Sequence, residues 1–204
     1  MMKNIARIIA LLVLMLSCVT VNAASNSATA RKILDKAAAK MNLKSGMQMN
    51  FTITGNKLNQ SGTITVKGKK FNARTANAIM WYNGKTQWTY LKKNEEVNVT
   101  TPSAAKQAQM NPYSFINLYK KGYTLSYKKV SSGNQVHLVA QGKKSISEMY
   151  ILVDANNNLK QVKMKQGSGW MTINISNAKS VSVPDASFTF KPKDYPKAEV
   201  IDLR

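Results

Sequence analysis

The chain has 204 residues, with 30 Lys plus Arg against 9 Asp plus Glu, a formal net charge of +21, 44% apolar residues and 8% aromatic ones. That length suits one domain, and the apolar fraction is enough for a buried core, which excludes a disordered chain, collagen, a coiled coil and a polytopic membrane protein. So large a positive excess calls for partners or surroundings that tolerate positive surface potential.

Residues 1–23 read as a secretory signal peptide. Lys3 and Arg7 precede the apolar run Ile8 to Leu16, and Val21-Asn22-Ala23 gives a small-x-small cleavage pattern. The apolar run is well short of the roughly 20 residues a membrane-spanning helix needs. A lipidated Cys18 is the weaker alternative, because Met15-Leu16 departs from the small residues expected before such a cysteine. Either way the protein is exported. The remaining domain, 24–204, keeps 28 basic and 9 acidic side chains and no cysteine, so its stability is expected to come from its core and not from disulfides.

The domain opens with an amphipathic helix. Ser27 or Thr29 can cap it, and Ile33, Leu34, Ala37, Ala38 and Met41 share one face. After Gly46 the period changes to two: Met47, Met49, Phe51 and Ile53 alternate with polar residues, as in a half-buried strand. A turn at Gly55 to Gln60, a strand at Thr63 to Val66, a turn at Gly68-Lys69-Lys70 and a strand around Phe71 follow. Asn83-Gly84 between two alternating runs predicts a two-residue type I′ hairpin. That register pairs Tyr82 with Lys85 and Ile79 with Trp88, placing Ile79, Trp81, Trp88 and Tyr90 on one face, expected to look inward. After a strand at Val97 to Thr100, Ser103 to Met110 and the Asn111-Pro112 segment, running to Lys120, read as helical. Strands are then expected at Tyr123 to Tyr127, Val136 to Ala140, Ile146 to Val153, Leu159 to Gln166, Trp170 to Ile175 and Phe188 to Phe190. Nine to eleven short strands imply an antiparallel sheet that curls into a barrel or half-barrel.

Groups for covalent chemistry are scarce. The single histidine, His137, alternates with the apolar Val136 and Leu138, and no Gly-x-Ser-x-Gly elbow accompanies it. With one His and no Cys, nitrogen- or sulfur-based metal sites lack ligands. The acids are scattered, and Asp154 to Asn158 reads as a polar turn and not a calcium loop. No enzyme activity and no cofactor is expected. The lysines are dispersed along strands and turns without any nucleic-acid-binding pattern. They read either as a solubilising surface or as an attraction to anionic lipid or acidic partners. Eight methionines of the domain, among them Met47, Met49 and Met80, together with Trp81, Trp88, Trp170 and Phe51, suit an adaptable apolar cavity for acyl chains, against the plainer reading of core filling.

In this order of features the chain resembles the LolA family of periplasmic carriers of outer-membrane lipoproteins. The resemblance rests on Val66-Lys67-Gly68-x-Lys70-Phe71, the hairpin Trp81-x-Asn83-Gly84-Lys85-Thr86-x-Trp88-x-Tyr90, Glu96-Val97, Asn111-Pro112 and Phe188-x-Phe190. It implies a mainly β fold, an unclosed antiparallel barrel covered by helices, that takes up lipoprotein acyl chains when its lid moves. It also implies a monomeric periplasmic protein that receives cargo from an inner-membrane release complex and yields it to an outer-membrane acceptor, with at most transient contact at a membrane surface and none with nucleic acid. The candidate lining is Met47, Met49, Phe51, Ile53, Ile79, Trp81, Trp88 and Tyr90. The family's lid-tying Arg is absent after the strand at Thr63 to Val66, where Gly68, Lys69 and Lys70 stand, so Lys69 is the candidate lid contact. A module for another lipid or a polyanion such as lipopolysaccharide or acidic glycan, or an envelope-stress sensor, remains open on the same scaffold.

Overall fold

The computed structural model describes residues 26–41, 44–55, 58–103 and 118–204. The expected signal peptide and nearly all of the expected helical stretch between Ser103 and Lys120 lie outside the described residues. One helix, α1 (26–40), precedes twelve strands: β1 (Met47–Gly55), β2 (Leu58–Lys67), β3 (Lys70–Thr75), β4 (Ala78–Tyr82), β5 (Gln87–Leu91), β6 (Glu96–Thr100), β7 (Tyr123–Val130), β8 (Gly133–Ala140), β9 (Ile146–Val153), β10 (Leu159–Gln166), β11 (Gly169–Ser180) and β12 (Glu199–Asp202). They form one sheet in the order β12-β6-β5-β4-β3-β2-β1-β11-β10-β9-β8-β7. The sheet is unclosed, with β12 and β7 at its edges. Every pairing is antiparallel except that of β12 with β6.

Three expectations are corrected. Ser27 and Thr29 lie within α1 and not ahead of it. The segment from Gly55 to Gln60 is shorter as a turn than expected, because β2 already pairs Leu58 with Gly55. Phe188 to Phe190 is not a strand: Phe188 closes a 3-10 turn, Asp185–Phe188, and a second turn, Pro192–Asp194, follows. Pro184 and Pro192 flank this stretch, and a proline cannot donate to a ladder. Both phenylalanines are nonetheless buried.

α1 buries Ala30, Leu34, Ala37 and Met41, at spacings of four, three and four, against one face of the sheet. The core there runs through Met47 and Met49 of β1, Phe71 and Ala73 of β3, Tyr82 of β4, and on to Val136, Leu138, Met149, Ile151, Val162 and Met164. Between Asn50 paired with Ser176 and Gln48 paired with Lys179, β11 carries one extra residue, and Asn177 there takes φ 51°. Such a bulge bends its strand and increases the local twist.

The opposite face of β4 to β6 has its own cover. From Val181, whose N–H donates to the Gly46 carbonyl (3.0 Å), the chain runs as a strap over the sheet. Lys67 Nζ donates to the Val183 carbonyl (2.9 Å), and Lys67 and Lys70 pair with the Asp185 carboxylate at 3.0 and 2.6 Å. Phe190 and Tyr195 then pack on Trp81 with ring centroids 5.5 Å apart in each case. The strap ends as β12.

Candidate functional site

Successive strand residues point to opposite faces, so the two cores separate along β4. Met80 and Tyr82 face α1, whereas Ile79 and Trp81 join Val97, Val99 and Phe190 under the strap. The eight candidate lining residues therefore do not form one surface. Met47 and Met49 are buried under α1, and Phe51 and Ile53 pack half-buried against the same core. Ile79 and Trp81 are buried on the far side, with Trp88 and Tyr90 packed against them.

The hairpin register is also corrected. Tyr82 pairs Gln87 and Trp81 pairs Trp88, leaving a four-residue loop. Asn83 Oδ1 accepts from the N–H groups of Lys85 (3.0 Å) and Thr86 (2.8 Å), and the Asn83 N–H donates to the Thr86 carbonyl (3.2 Å). Gly84 takes φ 100° at the tip. This side-chain-capped loop replaces the two-residue turn. The slip amounts to two residues in pairing, so Ile79, Trp81, Trp88 and Tyr90 still share a face; what changes is which way that face looks.

Beneath the C-terminal end of α1 lies a cavity of about 140 Å³, lined by Met41, Met47, Met49, Leu159 and Ile175, with Lys40, Asn157, Asn158 and Lys179 around its mouth. The apolar alternation of β1 reaches two of these residues, Met47 and Met49. Met41 carries its signal as the last apolar position of the helix face. Leu159, Ile175 and Lys179 come from distant strands, and no local pattern marks them.

Three polar contacts hold α1 over this core. At its start, Asn26 Nδ2 donates to the Tyr127 carbonyl (3.1 Å) and Asn26 Oδ1 accepts from the Tyr127 N–H (2.6 Å). At its end, Lys40 Nζ donates to the Asn156 carbonyl (2.6 Å). Midway, Asp35 accepts a hydrogen bond from the Tyr119 hydroxyl. Burial and the Asp35 carboxylate together push that phenol far above its ordinary value, so it stays a donor. Lys69, by contrast, is exposed in the β2–β3 turn, and no hydrogen bond or ion pair engages it among the described residues. Its neighbours Lys67 and Lys70 hold the strap and not α1.

Two polar atoms on the α1 side are buried without partners among the described residues: Tyr82 Oη and Gln87 Oε1, on paired residues of β4 and β5. Burial raises the Tyr82 pKa. Tyr82 belongs to the core under α1, whereas Gln87 is half-buried beside Thr89, to which its Nε2 donates (3.0 Å); both atoms are open hydrogen-bonding positions.

Elsewhere the polar groups are engaged structurally. His137 stacks on Tyr150 at 4.3 Å, and its Nε2 lies 2.8 Å from Glu148 Oε1. Glu148 also accepts from the Tyr150 hydroxyl (2.9 Å), and these bonds, Tyr150 first, hold its carboxyl below the usual range. Asp154 Oδ1 accepts from the N–H groups of Asn156 and Asn158. Burial pulls its pKa up, but those turn hydrogen bonds outweigh burial and leave it lowered. Among the described residues no three His, Cys, Asp or Glu side chains converge to hold a metal ion, and no helix is long and apolar enough to cross a membrane.

A family model described as outer membrane lipoprotein carrier protein LolA matches residues 20–168. Comparison with curated proteins finds no match by sequence. Among solved structures, an uncharacterized conserved protein from Thermus thermophilus superposes with a TM-score of 0.55 at 15% identity, over 85% of this chain and 99% of that one. A LolA superfamily protein from Nitrosomonas europaea gives 0.44 at 11% identity, over 79% and 97%. The lipoprotein LppX from Mycobacterium tuberculosis gives 0.43 at 9% identity, over 76% and 97%.

Proposed function

The chain belongs to the family of the outer membrane lipoprotein carrier protein LolA, and from that premise we propose that it is an exported periplasmic carrier that takes lipoprotein acyl chains into the apolar region beneath α1. The observation that carries this reading is the cavity at the end of α1, apolar inside and basic at its mouth. In this reading the sheet acts as a half-barrel and α1 as the movable part of its cover.

Size requires the movement. An engineered apolar cavity of about 150 Å³ stays dry and holds a molecule of benzene, so about 140 Å³ takes only the tip of an acyl chain. The remainder must take the place of α1 against the sheet. Contacts of Leu34 and Met41 lost in that step are replaced by contacts with methylenes, each worth about 0.8 kcal/mol when buried. The net cost then reduces to the polar tethers of Asn26, Asp35 and Lys40, at about 0.5 to 1.5 kcal/mol per hydrogen bond. The four bonds together set about 2 to 6 kcal/mol against opening, which the burial of roughly three to eight further methylenes offsets, so a carrier without an energy source can both open and release. Tyr82 Oη and Gln87 Oε1 suit the amide and ester groups at the head of a lipidated cysteine.

No covalent step enters this mechanism. Cargo is handed from an inner-membrane release complex to an outer-membrane acceptor, and α1 opening is the step those partners bias.

Native mass spectrometry of the protein purified from its envelope fraction, with organic extraction of what it carries, tests the proposal. Bound acylated material is expected, and it is expected to be lost in Met49→Gln with the far-UV circular dichroism unchanged. A protein that is empty and takes up no fluorescent acyl probe would reduce the cavity to ordinary core.

A further inference from the structure

A second and larger cavity, of about 340 Å³, opens on the face away from α1, between the strap and strands β2 to β4. Its floor is a cross-strand row, Thr65, Asn72 and Trp81, directly paired through β2, β3 and β4, with Arg74 two residues further along β3. Its roof is the strap, contributing Ser187, Thr189, Lys191, Asp194 and Tyr195. Unlike the cavity under α1, this one is surrounded chiefly by hydrogen-bonding groups.

Several of its donor groups have no acceptor among the described residues. Asn72 Oδ1 accepts from Arg74 Nε at 3.2 Å, which turns the Asn72 amide so that Nδ2 is left buried with no acceptor among the described residues. That same bond uses Nε of Arg74 and leaves the outer edge of its guanidinium without an acid among the described residues. Lys191 brings a second cation, also without an ion pair among the described residues. A buried amide donor without a partner costs about 1 to 3 kcal/mol, so an acceptor entering the cleft, whether water or a ligand, completes the arrangement. Asp194 is the one acid in the lining. It accepts where the other charged groups donate, which suits hydroxyls beside an anionic group and disfavours a bare anion. The volume equals that of about eleven waters at roughly 30 Å³ each, more than phosphate alone needs and comparable to a monosaccharide bearing one.

We propose that this outer cleft is a binding site for an anionic sugar, a phosphate-bearing monosaccharide unit, with Arg74, Asn72 and Lys191 on the anion and Asp194 on the hydroxyls. The site does not depend on α1 opening, because it lies on the other face of the sheet. The same chemistry occurs in free sugar phosphates and in phosphorylated saccharide headgroups of envelope lipids.

The test is a titration of the 15N-labelled protein with glucose 6-phosphate at constant ionic strength, reading the Asn72 side-chain amide and the Arg74 Nε–H. Saturable shifts at both are expected, with affinity at least about tenfold weaker in Arg74→Gln, the loss of a charge-assisted contact. Lys128→Gln, which removes the same charge from β7 far from the cleft, is expected to leave affinity unchanged. Uptake of an acyl probe serves as a separate readout, expected to be equal in all variants, so failure here and failure of the carrier reading are distinguishable. A second arm uses phosphatidylcholine vesicles with and without lipopolysaccharide. Binding that needs lipopolysaccharide and Arg74 assigns the headgroup as the source, and binding of glucose 6-phosphate alone assigns the free sugar. Absence of saturable shifts with glucose 6-phosphate, or equal weakening by Lys128→Gln, overturns the proposal in favour of general attraction to a basic protein. Should Arg74→Gln fail to fold, Lys191→Gln on the strap gives the same comparison.

Discussion

The side-chain amide of Asn26 meets the backbone of Tyr127 at both of its polar atoms, donating to the carbonyl at 3.1 Å and accepting from the N–H at 2.6 Å. β7 is an edge strand, so the first described residue of α1 supplies what a neighbouring strand otherwise would, and it couples the helix to an edge that needs covering.

Asn26→Ala is expected to leave one N–H and one carbonyl of Tyr127 unpaired. The cost is about 1 to 2 kcal/mol, felt as opening of α1 more than as global unfolding. Hydrogen exchange should speed up at Tyr127 and through 26–40 while β1 and β10 stay protected, and acyl-probe uptake should quicken. Unchanged exchange in α1 would show that the amide is not a tether.

Tyr119→Phe isolates the middle contact. Tyr119 is buried and its hydroxyl donates to Asp35, so the substitution keeps the ring packing and deletes the bond. A loss of about 1 to 2 kcal/mol is expected, with faster uptake of acyl probe and an unchanged probe capacity. Chemical denaturation and stopped-flow probe binding check the two parts.

The two cores predict a division of effects. Met49 is 1% exposed under α1, and Trp81 is 5% exposed under the strap. Met49→Ala is expected to cost about 2 to 5 kcal/mol and Trp81→Ala about 3 to 5. Only Met49→Ala should also change acyl-probe affinity, measured on the folded fraction. Loss of affinity in both would contradict the separation of the faces.

The strap should loosen in acid. Hydrogen bonds from Lys70 and then Lys67 hold the Asp185 carboxyl below its ordinary range. A depressed folded value means that the contribution is full above the ordinary Asp pKa near 4 and is lost as pH falls through the lower folded value. Exchange across 181–195 and the near-ultraviolet signal of the Trp81 cluster should therefore be steady above about pH 5 and change as pH falls below about 4. Asp185→Asn should show the loosened state already at neutral pH, with little further change of this region on acidification.

Asn177 tests the bend in β11. At φ 51° it occupies the left-handed region, which costs a residue other than Gly, Asn or Asp about 1 to 2 kcal/mol. Asn177→Val should be destabilising by about that amount, and Asn177→Gly close to neutral, by thermal or urea unfolding.

Local periodicity alone determined much of this protein. The four-and-three spacing of Ala37, Leu34 and Met41 specified a helix face, and the alternation from Met47 to Ile53 specified a strand. The polar run from Asp154 to Asn158 specified a turn, because its own side chains satisfy its backbone. Even the company of Ile79, Trp81, Trp88 and Tyr90 was legible, since a two-residue change of register preserves parity. Tertiary structure decided the rest. Met80 and Tyr82 are as able to be buried as Ile79 and Trp81, so β4 by itself has no inside. The strap settles the matter from about a hundred residues away by laying Phe190 and Tyr195 on Trp81. β12, four residues without clear alternation, exists because β6 offers an unpaired edge beside it. The cavity under α1 likewise draws its lining from a helix end and three strands, and such a convergence leaves no period in the sequence.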